Sequence, residues 1–516
     1  MNTAYLLFKY LTPESFLAET AFFVLIAGLV KATATRRIML LSLTLLGGLA
    51  SIAWIGYHPE NINICHGMAV IDPLTRFIKI VIVGMSLVAC VYAATSAIRE
   101  HLAEYLALIL FSTIGMMLLV SAEDLLMIFI GLEMTSIPLY LLTGYLKRSS
   151  ASAEAALKYF LFGGVSAAFL LFGLSLIYGV TGLTSLQALA QIPRATAGDP
   201  LFLTGVALAL AGFGFKVAAV PFHLWAPDVY EGAPTPSAAL IASGSKVAGF
   251  LILAKFLTLG FVHATGSAVW NLWQPGWLPL LAVIAAASVV VGNLAALSQS
   301  NVKRILAYSA IAQSGYMLIG LLAASQRREI ALASVLFYAI VYALTTLGAF
   351  GVVGIVEQRR GGAQLHHFDG LHESAPGLAL AMGVFMISLA GIPPLAGFFG
   401  KFYLFAGALG SATFSDGSMG LLWVIVVAIV FNAVSLYYYL IVLKHVFVAP
   451  TPDAPSAAAP QPRTAAGYCA GLLAVAILGI GLYPPVLLNP LDTAIKAMAR
   501  AAAQAEIRAA TGATQP

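Results

Sequence analysis

The sequence predicts an all-α polytopic membrane protein. Three observations predict it. Of 516 residues, 60% are hydrophobic and 9% are charged, where a soluble chain carries roughly 25% charged residues. Apolar runs of helix length recur from end to end, and a membrane helix needs about 20 such residues. Two of the charges inside those runs sit beside proline breaks, in Gly212-Phe-Gly-Phe-Lys216 before Pro221 and Gly397-Phe-Phe-Gly-Lys401 after Pro393-Pro394. A lysine beside an interrupted helix, twice in one chain, is the pattern of a transport machine built from repeats.

Fourteen segments follow from the apolar runs. The first three cover about 13–31, 37–56 and 73–97. The next five cover about 103–121, 125–146, 152–180, 201–224 and 237–260. Then come about 277–299, 302–323, 329–356, 377–409, 420–443 and 466–487. Glu14 and Glu19 precede the first apolar run, and Lys31, Arg36 and Arg37 follow it. That is the reverse of a signal peptide, so the first segment is expected to be retained.

Basic residues crowd one set of loops: Lys31, Arg36, Arg37, Arg99, Lys147, Arg148, Lys303, Arg304, Arg359, Arg360, Lys444 and Arg463. The opposite set holds fewer, with Arg327 and Arg328 against the trend. The richer side is expected to face the cytoplasm, which puts both termini outside. Residues 449–465, rich in Pro and Ala, read as a flexible loop, and 491–511 as an Ala-rich surface helix or a frayed tail.

Other chemistries are disfavoured. The net charge of +5 is modest and implies no nucleic-acid partner. Cys65, Cys90 and Cys469 stand alone, whereas an iron–sulfur cluster takes four cysteines. Neither a Gly-x-Gly-x-x-Gly nor a Walker loop follows a strand. His366, His367 and His372 cluster with Asp369 and Glu373; a solvated loop explains them better than a metal site.

A charge near the bilayer centre costs at least ~3 kcal/mol, so each one needs a reason. Glu133 lies about a third of the way into segment five, as an ion-pair partner, a proton carrier or both. Lys216 lies beside the break in segment seven, flanked by apolar residues. Burial disfavours the charged form of an amine, so such a lysine is a candidate for handling protons. Lys246 is also deep. Lys255 is expected to snorkel to the interface, and Arg76 and Lys79 to reach the headgroups. Lys158 follows Glu154 at i,i+4 spacing, which fits a local salt bridge or a relay. His223 lies seven residues after Lys216, a packed histidine or a second proton carrier. Lys401 ends the second broken stretch. Glu133, Lys216, Lys246 and Lys401 together suggest a row of titratable groups at mid-membrane.

Four stretches carry a resemblance: Gly131-Leu-Glu-Met-Thr-Ser-Ile-Pro-Leu-Tyr140, Ala156-Leu-Lys-Tyr-Phe-Leu-Phe-Gly163, Pro221-Phe-His-Leu-Trp-Ala-Pro-Asp-Val-Tyr-Glu-Gly-Ala-Pro-Thr-Pro236 and Gly391-Ile-Pro-Pro-Leu-Ala-Gly-Phe-Phe-Gly-Lys401. With them the chain resembles, over essentially its whole length, the subunit N family of proton-pumping NADH:quinone oxidoreductase, respiratory complex I. The resemblance implies fourteen helices with two inverted five-helix repeats (103–262 and 277–448), discontinuous helices seven and twelve, three leading helices (1–98) and a closing part (449–516). It implies proton translocation through Glu133, Lys158, Lys216, His223, Lys246 and Lys401. It implies an inner-membrane location, and partners among the other membrane and peripheral subunits. NADH, FMN, iron–sulfur clusters and the quinone would be handled by those other subunits, with no cofactor or metal here. Lys401 stands where the sister M-type subunit has glutamate, and the chain has no room for the lateral helix of the L-type. The alternative function is a subunit of a multi-subunit cation/proton antiporter. A structural spacer is disfavoured, since a spacer gains by losing buried charges.

Overall fold

The computed structural model describes residues 11–30, 34–59, 61–98, 101–270, 272–325, 327–410, 420–450 and 464–511. Lys9, Lys31, Arg99, Arg463 and nearly all of the expected 449–465 loop lie outside the described residues.

Helices dominate, and their ends are written in the sequence. The leading helices are α1 (Thr12–Ala27), α2 (Ala34–Tyr57) and α3 (Pro73–Thr95). A short antiparallel hairpin, β1 (Ile62–Ile64) with β2 (Ala69–Ile71), joins α2 to α3 and was not anticipated. Then come α4 (Leu102–Ser121), α5 (Leu125–Thr143) and α6 (Ser150–Thr181). Side chains close the open amide groups of first turns. Asp72 accepts from Thr75 N at 2.6 Å, Asp124 from Leu126 N at 2.9 Å and Asp199 from Leu201 N at 2.7 Å. Pro73, Pro200 and Pro376 stand at first helical positions, where no N–H is missed.

Segment seven stops early as helix α7 (Pro200–Lys216), and a separate helix, α8 (Trp225–Gly232), follows beyond its expected end. Pro227 therefore lies in a helix between two expected segments. Segment eight is divided, contrary to its expected continuity: α9 (Thr235–Ala242) and α10 (Gly244–Lys255) meet at Ser243, and a π turn follows over Phe256–Gly260. The next three helices, α11 (Trp277–Leu297), α12 (Val302–Leu322) and α13 (Arg328–Arg360), are continuous. Segment twelve splits into α14 (Pro376–Ala390) and α15 (Ala396–Gly410), with Gly391 at φ +82° between them. That conformation suits glycine because it has no Cβ to clash. The chain closes with α16 (Leu422–Phe447), α17 (Ala465–Leu482) and α18 (Pro485–Thr511).

Eleven described stretches are long and apolar enough to cross a membrane, with α9, α10 and the π turn counted as one; α1, expected as the first crossing, has 16 residues and is not among them. Two further segments expected to cross, seven and twelve, are the broken ones, and their leading halves α7 and α14 are shorter apolar helices. The protein is a multi-pass membrane protein. Its core is α9–α10 with α12 and α13, whose side chains are almost all buried. The outer helices show apolar residues outward, such as Phe160 at 58%, Phe172 at 58% and Leu472 at 71% exposure. Water would penalise so large a patch; lipid does not. Helix packing uses small residues for close approach. A Cβ on Gly173 would meet the Gly205 carbonyl at 2.6 Å, so α6 and α7 touch backbone to backbone.

Candidate functional site

The two helix breaks release backbone groups that the bilayer cannot solvate, so protein must satisfy them. At the first break, Ser314 on α12 donates to Val217 O at 2.6 Å. Ser288 on α11 accepts from Val220 N at 2.9 Å, and Trp225 donates to Phe215 O at 3.2 Å. At the second break, Lys401 donates to Leu389 O at 2.7 Å and Ala390 O at 3.3 Å. Gln313, the neighbour of Ser314, also donates to Leu389 O, at 3.2 Å. Adjacent residues of one continuous helix thus reach both breaks.

The three deep lysines gather around this bridge. Lys246, 2% exposed, donates to Ala310 O at 2.5 Å and to Ser314 Oγ at 2.7 Å, and its ammonium lies 5.2 Å from the Tyr342 ring centre. Lys401, 3% exposed, also donates to Asn432 Oδ1 at 2.6 Å and sits 5.1 Å from the Tyr316 ring centre. Lys216, 5% exposed, does not bond its own break; it donates to Ser136 Oγ on α5 at 3.1 Å. Its stem runs past Gly249 on α10, where a Cβ would lie 3.4 Å from Lys216 Cγ. Between Lys246 and Lys401 lie more polar side chains. Tyr439 bonds Ser309 at 2.5 Å and accepts from Gln313 at 3.1 Å, and Tyr338 donates to Gln313 Oε1. Asn293 donates to Tyr316 at 3.1 Å and accepts from Tyr438 at 2.9 Å. Sequence reasoning followed charge and so passed over Ser314, Gln313, Asn293 and the tyrosines. Their signal was there, as polar residues in the apolar α11, α12 and α13, but neutral groups are common in such helices.

Among the described residues, Lys216, Lys246 and Lys401 have no carboxylate at ion-pair distance. The remaining buried lysines do. Lys79 meets Glu14 at 2.7 Å with both side chains buried, so it does not reach for headgroups. Lys255, 1% exposed, lies 3.4 Å from Glu123 and donates to Val120 O at 3.0 Å. It does not snorkel, because a buried carboxylate and an open carbonyl are nearer than the interface. Lys303 meets Glu357 at 3.2 Å.

Glu133 is half-buried on α5, one turn from Ser136, with no ion pair among the described residues. Lys216 bonds Ser136 of that helix rather than the glutamate. Lys158 lies apart from the row and partly exposed, held by Glu154 at 2.6 Å and Asp228 at 2.6 Å. Both the expected local pair and a second partner are present. His223 is buried at 8% exposure and its Nδ1 finds no hydrogen-bond partner among the described residues. The His366–His372 stretch is not a free loop. His367 caps a short helix, Arg360 donates to His367 O at 2.9 Å and Asp369 O at 2.7 Å, and Asp369 pairs with His445 at 2.5 Å. Among the described residues no group of three His, Cys, Asp or Glu side chains could hold a metal ion.

Broken helices with unpaired lysines at membrane depth define an antiporter-like membrane protein. The chain matches the family described as NADH:quinone oxidoreductase/Mrp antiporter, transmembrane, over residues 122–432. It is 45% identical over 457 residues to NADH-quinone oxidoreductase subunit N 2 of Acidobacterium capsulatum, covering 86% of this chain and 90% of that one. The chain belongs to the NADH-quinone oxidoreductase subunit N family. Among solved structures it is similar to a chain of respiratory complex I from Thermus thermophilus with bound aureothin, at TM-score 0.75 and 32% identity over 93% of this chain and 99% of that one. It shares its fold with a chain of the Mrp complex from Dietzia sp., at TM-score 0.76 and 22% identity over 94% and 97% of the two chains.

Proposed function

We propose that this chain is a membrane-arm subunit of an NADH:quinone oxidoreductase and that it translocates protons across the membrane, driven by NADH-to-quinone electron transfer in other subunits. The observation that carries this reading is the sorting of the buried lysines. Lys79, Lys255 and Lys303 are each held by a carboxylate. Lys216, Lys246 and Lys401 are held only by hydroxyls, carbonyls and an amide oxygen. No carboxylate fixes their charge, and Lys246 and Lys401 bond neighbouring points of one helix, through Ser314 and through the Leu389 carbonyl shared with Gln313, while Lys216 bonds Ser136. Amides and carbonyls orient donors rather than carry protons. The hop from Lys246 to Lys401 therefore needs the hydroxyls of Ser309 and Tyr439 or bridging water.

In this reading Glu133 biases the charge on Lys216, His223 extends the row beyond the break, and Lys158 is a further exchangeable charge. Residues 103–262 and 277–448 are two inverted five-helix repeats, flanked by 1–98 and 449–516. Both termini face the periplasm across a cell inner membrane. The neighbours are other membrane subunits of the complex. NADH, FMN, iron–sulfur clusters and quinone act in those other subunits.

The test is proton translocation per NADH oxidised by the reconstituted complex. Lys216→Ala and Glu133→Ala are each expected to lower it while the complex still assembles. Full stoichiometry in both would remove the site assignment. The fold likeness to the Mrp chain supports a second reading, a subunit of a cation/proton antiporter. Co-purification with small antiporter subunits, and Na+-driven proton movement without NADH, would favour it.

A further inference from the structure

Helix α8 starts directly after the first break and carries Asp228 and Glu231 three residues apart, on one face. Asp228 offers one carboxylate oxygen to Lys158 of α6 at 2.6 Å and the other to Arg304 of α12 at 2.9 Å. The same Arg304 nitrogen reaches Glu231 Oε2 at 2.9 Å, and Glu231 Oε1 accepts from Asn301 at 3.0 Å. Arg304 Nε donates to Gln299 at 3.0 Å, which holds the guanidinium in its plane. One turn further on, Lys303 donates to Ala233 O at 3.2 Å and pairs with Glu357, which also accepts from Thr235.

These charges are about a third exposed, and exposed pairs add little stability. What they do set is position and charge. Two cations share Asp228, and only the lysine can lose its charge, which then leaves the carboxylate to Arg304. The position of α8 is passed inward by Trp225, whose indole donates to Phe215 O beside Lys216 and stacks on Tyr159 beside Lys158, with ring centres 4.5 Å apart.

We propose that Arg304 is a positioning residue for proton handling: by sharing Asp228 with Lys158, it couples the charge on Lys158 to the seating of the helix that follows the break, and through Trp225 to Lys216. This rests on the proton-translocating reading above. The titratable groups facing Lys158 are Glu154 on its own helix and Asp228 on α8; Asp228 in turn faces Arg304, with Glu231 beside it. On α5, which packs against α6, the titratable groups are Glu133, which has no ion pair with Lys158 among the described residues, and Tyr140, whose ring meets Tyr159 and Phe160.

The experiment uses the whole complex in proteoliposomes, with Arg304→Gln, Arg304→Lys, Asp228→Asn and Lys216→Ala. Proton translocation per NADH is measured across pH, and assembly is checked by subunit content. Arg304→Gln leaves Asp228 to Lys158 alone, so the lysine proton is held longer and the alkaline limb of the profile moves up. Asp228→Asn removes that counter-charge, so the alkaline limb moves down. Each shift is expected on the order of half a pH unit, with several-fold lower coupling, and Arg304→Lys recovers part of it. Unmoved pH profiles, with losses that merely follow assembly, would overturn the proposal. Should Arg304→Gln not assemble, the isosteric Asp228→Asn alone decides by the direction of its shift. Lys216→Ala separates the two readings. If it abolishes translocation while the Arg304 and Asp228 profiles stay put, only the positioning role fails; if it leaves full stoichiometry, the proton-translocating assignment fails as well.

Discussion

Gln313 and Lys401 lie on different helices and donate to the same oxygen, the Leu389 carbonyl, at 3.2 and 2.7 Å. That carbonyl is free because Gly391, Pro393 and Pro394 end α14. The second break therefore creates an acceptor, and a lysine and an amide share its two lone pairs. At the first break Ser314 plays the neighbouring part, joining Val217 O to Lys246.

Ser314→Ala removes the only described side chain that touches both Val217 O and Lys246. A buried carbonyl left without its donor costs about 1–3 kcal/mol, which a complex of this size should survive. The expected outcome is an assembled complex with reduced proton translocation. Ser314→Thr, which keeps the hydroxyl, should stay near wild type. Proton uptake in reconstituted vesicles reads the difference.

Gln313→Leu should weaken folding more than Ser314→Ala does. It strips partners from Tyr338, Tyr439 and Leu389 O together. Partly satisfied polar networks are worse than apolar cores. Thermal unfolding of the purified complex should show this subunit released at a lower temperature.

Lysines with carboxylate partners should behave unlike those without. Lys79→Met leaves Glu14 buried and unpaired, a change that costs about 3–5 kcal/mol. Loss of assembly is expected, and the double variant Lys79→Met with Glu14→Leu should regain most of it. Lys246→Met leaves no buried carboxylate unpaired, so it should assemble and fail in proton translocation. Quantifying the subunit in membranes alongside activity tests both halves. Equal assembly defects in Lys79→Met and Lys246→Met would refute the sorting.

Burial alone would raise the Asp228 carboxyl, but the hydrogen bonds from Lys158 and Arg304 outweigh it and hold the group below the usual carboxylate range. A depressed folded value means the contribution is fully present above the unfolded value of about 4 and fades as pH falls through the folded one. The link between α8 and α12 should therefore loosen below about pH 4, and Asp228→Asn should remove that dependence. Hydrogen exchange over 225–233, followed as a function of pH, gives the readout.

Much of this molecule follows from the sequence by itself. A chain that is 60% hydrophobic with few charges must bury its backbone polar groups in helices. Pro221 and Pro393-Pro394 forbid an unbroken ladder, so the interruptions in segments seven and twelve were legible, as were Lys216, Lys246 and Lys401 as buried charges. The break at Ser243 was not read, because no Pro marks it; its signal is the short Ser243-Gly244-Ser245 run, a kind of sequence at which helices kink. Periodicity also cannot tell which charges meet. Lys246 and Lys255 look alike in sequence, lysines in one apolar run, and Lys79 differs only by Arg76 one turn before it. Only the tertiary structure brings Glu14 to Lys79 and Glu123 to Lys255 while leaving Lys246 to Ser314. The physical reason is range: a helix's own sequence sets its contacts three and four residues away, whereas the charge state of a buried lysine depends on groups brought to within about 4 Å from other helices.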